Sequence, residues 1–277
     1  MYLLLAALLV GARAALPSPM ALPWLCLEVC GDSAAAIEKD VLQVTSAPAP
    51  YTGVLNAASF ENFNLGPNSS LIKNNLTNVA TRIRAAGATT LAMVSSFPYP
   101  PEFLSWMRQV FANPQPFIDA CVAAAAAEQL DGFNIDWEPP SSDKPTPADA
   151  ADYATFLDTL AKGLHEHGLL VTVDVATWSK IWDIKAIAAT AVDGIFTMNT
   201  YGDDDVVWER ELALVVAEIP AEKLIIGLET TMSSSGKPYN ASELTLRFDA
   251  IRAAGIRRVG LWSSPVPDLF WPFLKAL

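Results

Sequence analysis

The chain has 277 residues, 52% of them hydrophobic and only 17% charged, with a formal net charge of -12. Length alone allows one or two domains, but the composition argues for a single packed unit with a generous core and excludes a disordered or fibrous chain. The acidic excess, with no Lys/Arg-rich run to offset it, argues against nucleic acid as a partner and fits a neutral substrate better.

The opening MYLLLAALLVGARAALPSP has an apolar core followed by Ala12-Arg13-Ala14, a small-x-small cleavage pattern, and its apolar run is short for a bilayer span. Residues 1–14 are therefore expected to be a signal peptide and 15–277 the mature domain, placed outside the cell or in a lysosome- or vacuole-like compartment, with no membrane association after cleavage. A buried first helix is the alternative. Three sequons, at Asn68, Asn75 and Asn240, agree with export through a glycosylating compartment. The three cysteines, Cys26, Cys30 and Cys121, leave at least one thiol unpaired within the chain. A Cys26–Cys30 bridge would need a bend near Glu28, because on a straight strand the two lie too far apart.

From there short apolar runs alternate with stretches of helical length. In chain order the strand candidates are WLCLEVC, TGVLNAASF, TTLAMVSSF, DGFNIDWE, LLVTVDVAT, GIFTMNTY, KLIIGLETT and RRVGLWSS, eight in all. Helix candidates between them include SLIKNNLTNVATRIRAAG, ADYATFLDTLAKGLHEHG and SELTLRFDAIRAAG, each closing on a glycine able to take the left-handed conformation of a helix end. The alanine run 123–127 reads as a helix packed closely on the sheet, and SSDKPTPAD as a loop on the site side. Eight such repeats predict a closed (β/α)8 barrel; a doubly wound sheet would show fewer strands and a glycine-rich phosphate turn, and neither GxGxxG nor a P-loop is present.

In such barrels chemistry sits at the C-terminal strand ends, which here carry Glu28, Asn56, Ser95, Glu138, Asp174, Asn199 with Tyr201, Glu229 and Trp262. The fourth run is the most informative. Alternation places Asn134, Asp136 and Glu138 on one face and Phe133, Ile135 and Trp137 on the other, so the polar set lines the barrel interior and rises toward its open end. Burying three such groups without function would be costly. Close carboxylates also push their proton affinities apart, which suits Glu138 as a general acid and Asp136 as an orienting, charge-stabilising partner. His165 and His167 lie two apart at a helix end, where they do not share a face, and fit placement near the helix C-terminus better than a metal pair.

LDGFNIDWE resembles the signature of glycoside hydrolase family 18, hydrophobic-[DN]-G-hydrophobic-[DN]-hydrophobic-[DN]-x-E, on the fourth of eight strands where that family carries it. VTVDVATWS, FTMNTYGDD and RRVGLWSS resemble the family's fifth, sixth and eighth strands. Asn134 at the second acidic position, with DVATWS and GLW, is most similar to the di-N-acetylchitobiase branch. Two features depart from the common pattern: Ser95-Ser96-Phe97 stands where many members have a Ser-x-Gly-Gly turn, and Met198-Asn199-Thr200-Tyr201 is one residue longer than Met-x-Tyr-Asp.

The resemblance implies a retaining, substrate-assisted glycosidase acting on β-1,4-linked N-acetylglucosamine, without metal or organic cofactor and monomeric. It implies Glu138 as acid and later base, Asp136 on the acetamido N–H, Asn134 bonded to Asp136, and Tyr201 at the acetamido oxygen. Asp131 would support the strand start; with Asn199, Trp262 as the sugar floor, Trp178 and Glu229, it is among the candidate substrate-binding residues. The stretch from Glu229 to the helix near Ser242 is too short for the extra α+β subdomain of long-chain chitinases, which predicts an open site. An inactive sugar-binding relative and an endo-β-N-acetylglucosaminidase acting on N-glycans are the alternatives.

Overall fold

The computed structural model describes residues 15–27, 33–140, 142–232 and 235–277. The expected leader (1–14), Glu28 and Cys30 lie outside the described residues. Among the described residues nine strands follow in order: β1 Met20–Leu25, β2 Ala57–Leu65, β3 Leu71–Lys73, β4 Thr89–Ser95, β5 Gly132–Asp136, β6 Leu170–Val175, β7 Gly194–Thr197, β8 Leu224–Glu229 and β9 Arg258–Trp262. The helices are α1 Ala34–Thr45, α2 Val79–Ala85, α3 Phe103–Ala112, α4 Gln115–Glu128, α5 Pro147–His165, α6 Ile184–Ala188, α7 Asp205–Glu218, α8 Ala241–Ala253 and α9 Trp271–Lys275. Eight strands are parallel in the ring β1-β9-β8-β7-β6-β5-β4-β2, closed by the β1–β2 pairing, and β3 adds antiparallel to β2. This is a closed, single-domain (β/α)8 barrel, and the chain between β8 and α8 is too short to hold a further subdomain.

Strand alternation divides the core into two. Outside the barrel, Phe133, Ile135 and Trp137 pack under the helices. The Trp137 ring stacks on Phe156 of α5 with centroids 5.2 Å apart and meets Phe117 of α4 edge-on at 5.4 Å. Inside, Leu22, Trp24, Leu91, Met93, Leu170, Phe196 and Ile225 fill the lower barrel. These large rings need space opposite them: a Cβ on Gly260 would lie 2.6 Å from Trp24 and 2.7 Å from Phe196. Such filling of the lower interior leaves the polar residues of the same faces to crowd its upper end.

The helix ends follow the sequence signals. Gly87, Gly168 and Gly255 have φ of +81°, +73° and +74°, and α5 opens on a capping box in which Thr146 and Asp149 exchange hydrogen bonds. Asp204 caps α7 by accepting from Val207 N, so the acidic run at 203–205 serves a loop and helix start.

Four expectations need correction. β1 begins at Met20, earlier than the predicted WLCLEVC, because Pro23 does not interrupt a strand whose partner register continues through it. β2 runs to Leu65 rather than ending at Phe60; a register shift between Glu61 and Phe63 lets it continue through polar residues. Asn56 therefore lies below β2, where its amide ties Ala21 N and the Pro19 carbonyl at the barrel's N-terminal end. Of the predicted helix from Ser70, Leu71–Lys73 is strand and only Val79–Ala85 is helical. The alanine run contributes only Ala125 to the core, while Ala123, Ala126 and Ala127 are exposed.

Cys26 is disulfide-bonded, and Cys121 is a free, fully buried thiol on α4, its proton held more tightly by desolvation. Asn68, Asn75 and Asn240 are all exposed. No helix among the described residues is long and apolar enough to cross a membrane.

Candidate active site

β5 delivers the acidic residues. At its lower end Asp131 accepts hydrogen bonds from Thr90 N (2.9 Å) and Thr90 Oγ1 (2.8 Å) and from Arg84 Nη1 (2.9 Å), pinning β5 to β4. Gly132 permits the close approach of β6, since a Cβ there would meet Leu170 O at 2.3 Å. Asp131 thus does support the strand start. It lies at the N-terminal end of β5, the end opposite to Glu138, with its carboxylate engaged by Thr90 and Arg84.

Asn134, fully buried, is the hub of the interior. Its Oδ1 accepts from Trp24 Nε1 (3.2 Å) and Ser59 Oγ (3.1 Å), while its Nδ2 donates to Thr172 Oγ1 (3.1 Å) and Asp174 Oδ1 (2.9 Å). Four bonds satisfy the amide. None goes to Asp136, contrary to the expected pairing. Residues two apart on one strand face are separated by about 6.6 Å along it, whereas cross-strand neighbours are closer.

Above this hub, Asp136 is buried with its Oδ1 lacking any hydrogen-bond partner. Its carboxyl is pushed well above the usual range, first by burial and then by the charges of Glu138, Asp174 and Glu61. Asp174 is raised in the same way by burial and by Glu138, against hydrogen bonds from Asn134 and Trp24 that favour its charge. Glu138, half-buried at the rim, is raised by burial, and its backbone N–H donates to Ser96 Oγ at 3.2 Å. Neighbouring carboxyl groups so placed hold protons more tightly than free ones, and their mutual repulsion lets one stay protonated while its neighbour ionises.

Tyr201, just after β7, stands two strands round the barrel from β5, close enough to feel the cluster's charges. Burial and the charges of Asp174, Asp136, Glu138 and Glu229 push its hydroxyl pKa upward. β7 stops at Thr197, and Met198–Tyr201 forms a single tight turn that absorbs the extra residue noted in the sequence. Thr200 Oγ1 fixes that turn by donating to Gly227 O (2.8 Å), and Trp208 Nε1 donates to Thr200 O (3.0 Å). The Tyr201 ring lies over Gly227, where a Cβ would come within 2.7 Å of Cε1. Just beyond, Arg247 is buried between Trp208 and Tyr239, its guanidinium 5.1 and 5.2 Å from their ring centroids, and donates to Asp205, Gly202 O and Asp203 O.

Trp262 ends β9, half-buried and edge-on to Trp24 at 6.5 Å. Glu229, buried, ends β8 opposite it in register. Asn199 is buried and donates to Glu211 Oε2 of α7 at 2.9 Å. Outward from Glu138 a cleft of about 710 Å³ opens between the loops after β4, β5 and β6, with Tyr99 and the 60%-exposed Trp178 in its walls. Part of SSDKPTPAD lines it, as expected of that loop.

Sequence reasoning missed Tyr99 and Glu61. Tyr99 sits at a φ of +59° on a proline-rich loop, its hydroxyl pushed up to about 12 by burial, Glu138 and Asp136. Its only sequence signal was its place shortly after a strand end. Glu61 is buried in β2 beyond the predicted end of that strand. Among the described residues no three histidines, cysteines or carboxylates are grouped to hold a metal ion. His165 instead meets Asp193 at 2.9 Å.

The fold is that of the chitinase-like (β/α)8 barrels. A chitinase from Chromobacterium violaceum superposes with a TM-score of 0.74 at 16% identity, covering 94% of this chain and 98% of that one. The spore cortex-lytic enzyme SleL of Bacillus megaterium gives 0.76 at 15% identity over 95% and 75% of the two chains, and a class V chitinase from Nicotiana gives 0.70 at 12% over 92% and 97%. No family model and no curated protein matches the sequence.

Proposed function

We propose that the protein is a retaining glycoside hydrolase that cleaves β-1,4-linked N-acetylglucosamine by substrate-assisted catalysis. The observation that carries this reading is the pair Asp136 and Glu138 at the top of β5. Both are raised in proton affinity and lie within electrostatic reach of Tyr201, with an aromatic-walled cleft beginning at Glu138. The chitinase-like fold supports it.

In this reading protonated Glu138 donates its proton to the glycosidic oxygen as the bond from that oxygen to the anomeric carbon breaks. The substrate's acetamido carbonyl oxygen forms a bond to the anomeric carbon from the opposite face. Asp136 Oδ1, buried without a partner, accepts from the acetamido N–H and stabilises the positive charge that develops on the ring so formed. Tyr201 donates to the acetamido oxygen, and Trp262 stacks under the sugar. Glu138, now a carboxylate, takes a proton from water as the water attacks the anomeric carbon and reopens the ring. Two inversions give net retention. Asn134 holds Asp174 and the barrel centre beneath this machinery.

Asn134 with DVATWS and GLW resembles the di-N-acetylchitobiase branch, so chitobiose and short chitin oligomers are the first substrates to test. The expected leader and exposed sequons support a secreted or lysosome-like glycoprotein, acting as a monomer.

Purified protein incubated with chitobiose, longer chito-oligomers and a high-mannose glycopeptide, followed by NMR, tests the proposal. An initially β-configured product from any of them supports it, and the substrate cleaved reports endo or exo action. An α-configured product contradicts it, and binding without turnover identifies a sugar-binding protein instead. Glu138→Gln is expected to abolish hydrolysis while oligomer affinity stays within a few-fold; near-normal turnover would remove Glu138 from its role.

A further inference from the structure

The turn that carries Tyr201 is tied to α8 by a fully buried charge. Arg247 lies on the buried face of that helix with Leu244, Phe248 and Ile251, and has no exposure to solvent. A guanidinium taken out of water is costly unless its donors are met, and an apolar side chain of similar volume would fill the space without that cost. Here the donors are met from one short segment: Nη1 donates to Asp205 Oδ1 at 2.6 Å, and Nη2 donates to Gly202 O at 3.2 Å and to Asp203 O at 3.3 Å. The fork is aimed at this segment even though its Nε is left buried without a partner.

That segment begins at the residue after Tyr201. On the other side of the tyrosine, Thr200 O accepts from Trp208 Nε1 at 3.0 Å, and the same indole ring stacks on the Arg247 guanidinium. The carbonyls of residues 200, 202 and 203 are thus all engaged, so the peptide units on either side of Tyr201 have fixed partners. The tyrosine ring rests against Gly227, with its hydroxyl in reach of the charges of Asp174, Asp136 and Glu138. Asp205 opens α7 and Arg247 belongs to α8, so the clamp joins two successive βα units at the root of a candidate catalytic side chain.

We propose that Arg247 is a positioning residue for the reaction: by holding the backbone at residues 202 and 203 it fixes the Tyr201 hydroxyl where the substrate's acetamido oxygen is met. The inference rests on the glycosidase reading, in which Tyr201 makes that contact. A displacement of about 1 Å at such a group costs on the order of a hundredfold in rate, so a residue that touches no substrate can still govern turnover. Lysine in place of Arg247 keeps the charge, but a single ammonium on a thinner stem cannot reproduce the planar fork that spans Asp205 and two carbonyls while stacking between two rings.

The test is a double-mutant cycle of Arg247→Lys and Tyr201→Phe, with kcat and KM measured on chito-oligomers well below the melting midpoint of each variant. With Tyr201 present, Arg247→Lys is expected to lower kcat about tenfold or more while KM stays within about threefold. In the Tyr201→Phe background the same change is expected to alter kcat by less than about twofold, because the group it acts through is gone. Asp205→Ala, a milder and half-exposed perturbation of the same clamp, should lower kcat in the same direction and lose its effect in the same background. Unchanged kcat in Arg247→Lys, or an equal loss with and without the Tyr201 hydroxyl, overturns the proposal and leaves Arg247 a purely structural role. The geometry is read separately by NMR of protein carrying 13C at the tyrosine ring carbon that bears the hydroxyl, six signals in all, with Tyr201 assigned from Tyr201→Phe. Its signal should shift in Arg247→Lys while that of Tyr51, on the outer wall beside Trp271, stays in place; an unmoved Tyr201 signal also overturns the proposal. If no glycan is cleaved by the wild type, the glycosidase reading falls and takes the role in turnover with it, whereas the clamp on Tyr201 stands or falls on the NMR signal alone.

Discussion

Replacing Asn134 by aspartate puts a carboxyl group 2.9 Å from Asp174 Oδ1, in a position with no exposure to solvent. The two bonds that Asn134 Oδ1 accepts, from Trp24 and Ser59, can persist, but of the two that Nδ2 donates at most one survives, and only while the new carboxyl is protonated. Burial and the proximity of Asp174 both oppose ionisation of the new group, so its folded pKa rises above the unfolded value of about 3.9. A folded pKa that is raised makes the folded state bind more protons than the unfolded one, so relative stability falls as pH rises between the two values. The slope is about 1.4 kcal/mol per pH unit, hence up to about 4 kcal/mol between pH 4 and pH 7. Urea unfolding of the variant and wild type at pH 4, 5.5 and 7, analysed by linear extrapolation, measures this directly. The expected result is a small deficit at pH 4 that grows steadily toward neutrality. A deficit independent of pH, or one largest at acid pH, would refute the reasoning and show that position 134 does not communicate with Asp174.

Gly227→Ala should lose stability by about 1–3 kcal/mol through overpacking and lose activity out of proportion, because the new methyl displaces both Thr197 O and the Tyr201 ring; thermal melts and turnover separate the two effects. Arg247→Ala should cost about 3 kcal/mol from the space left between Trp208 and Tyr239 and the loss of cation–π contacts, with Arg247→Lys milder in urea unfolding. The wild type should be most stable in mildly acidic solution. Asp136 and Asp174, raised in the fold, lower stability as pH climbs above about 4, while Asp149, held down by Arg108, loses its contribution as pH drops below about 4; a pH series of urea midpoints checks the sign on both sides.

Alternation and the eight-fold repeat made the barrel and the inward set Asn134, Asp136 and Glu138 readable, because a strand buried on one polar and one apolar face leaves a period-two record. β2 left a broken record: the register shift at Glu61–Phe63 interrupts the period, so Glu61 went unread and Asn56 was assigned to the wrong end. Leu71–Lys73 pairs through its backbone with β2, and three residues carry too little pattern to separate strand from helix. The partners of Asn134 were not legible either, since Trp24, Ser59 and Thr172 meet it only once the barrel closes. Tyr99 depends on a loop path that no periodicity encodes.

Cys121 has no exposed surface, and its thiol is held in the unreactive protonated form by desolvation. A thiol reagent in solution can therefore reach this sulfur only when α4 lifts from α5 and the barrel wall. The labelling rate of Cys121 becomes a clock for that opening, read at a native side chain without any substitution. Run with and without a saturating glycan, the same clock would show whether occupation of the barrel mouth is felt on the outer layer of helices.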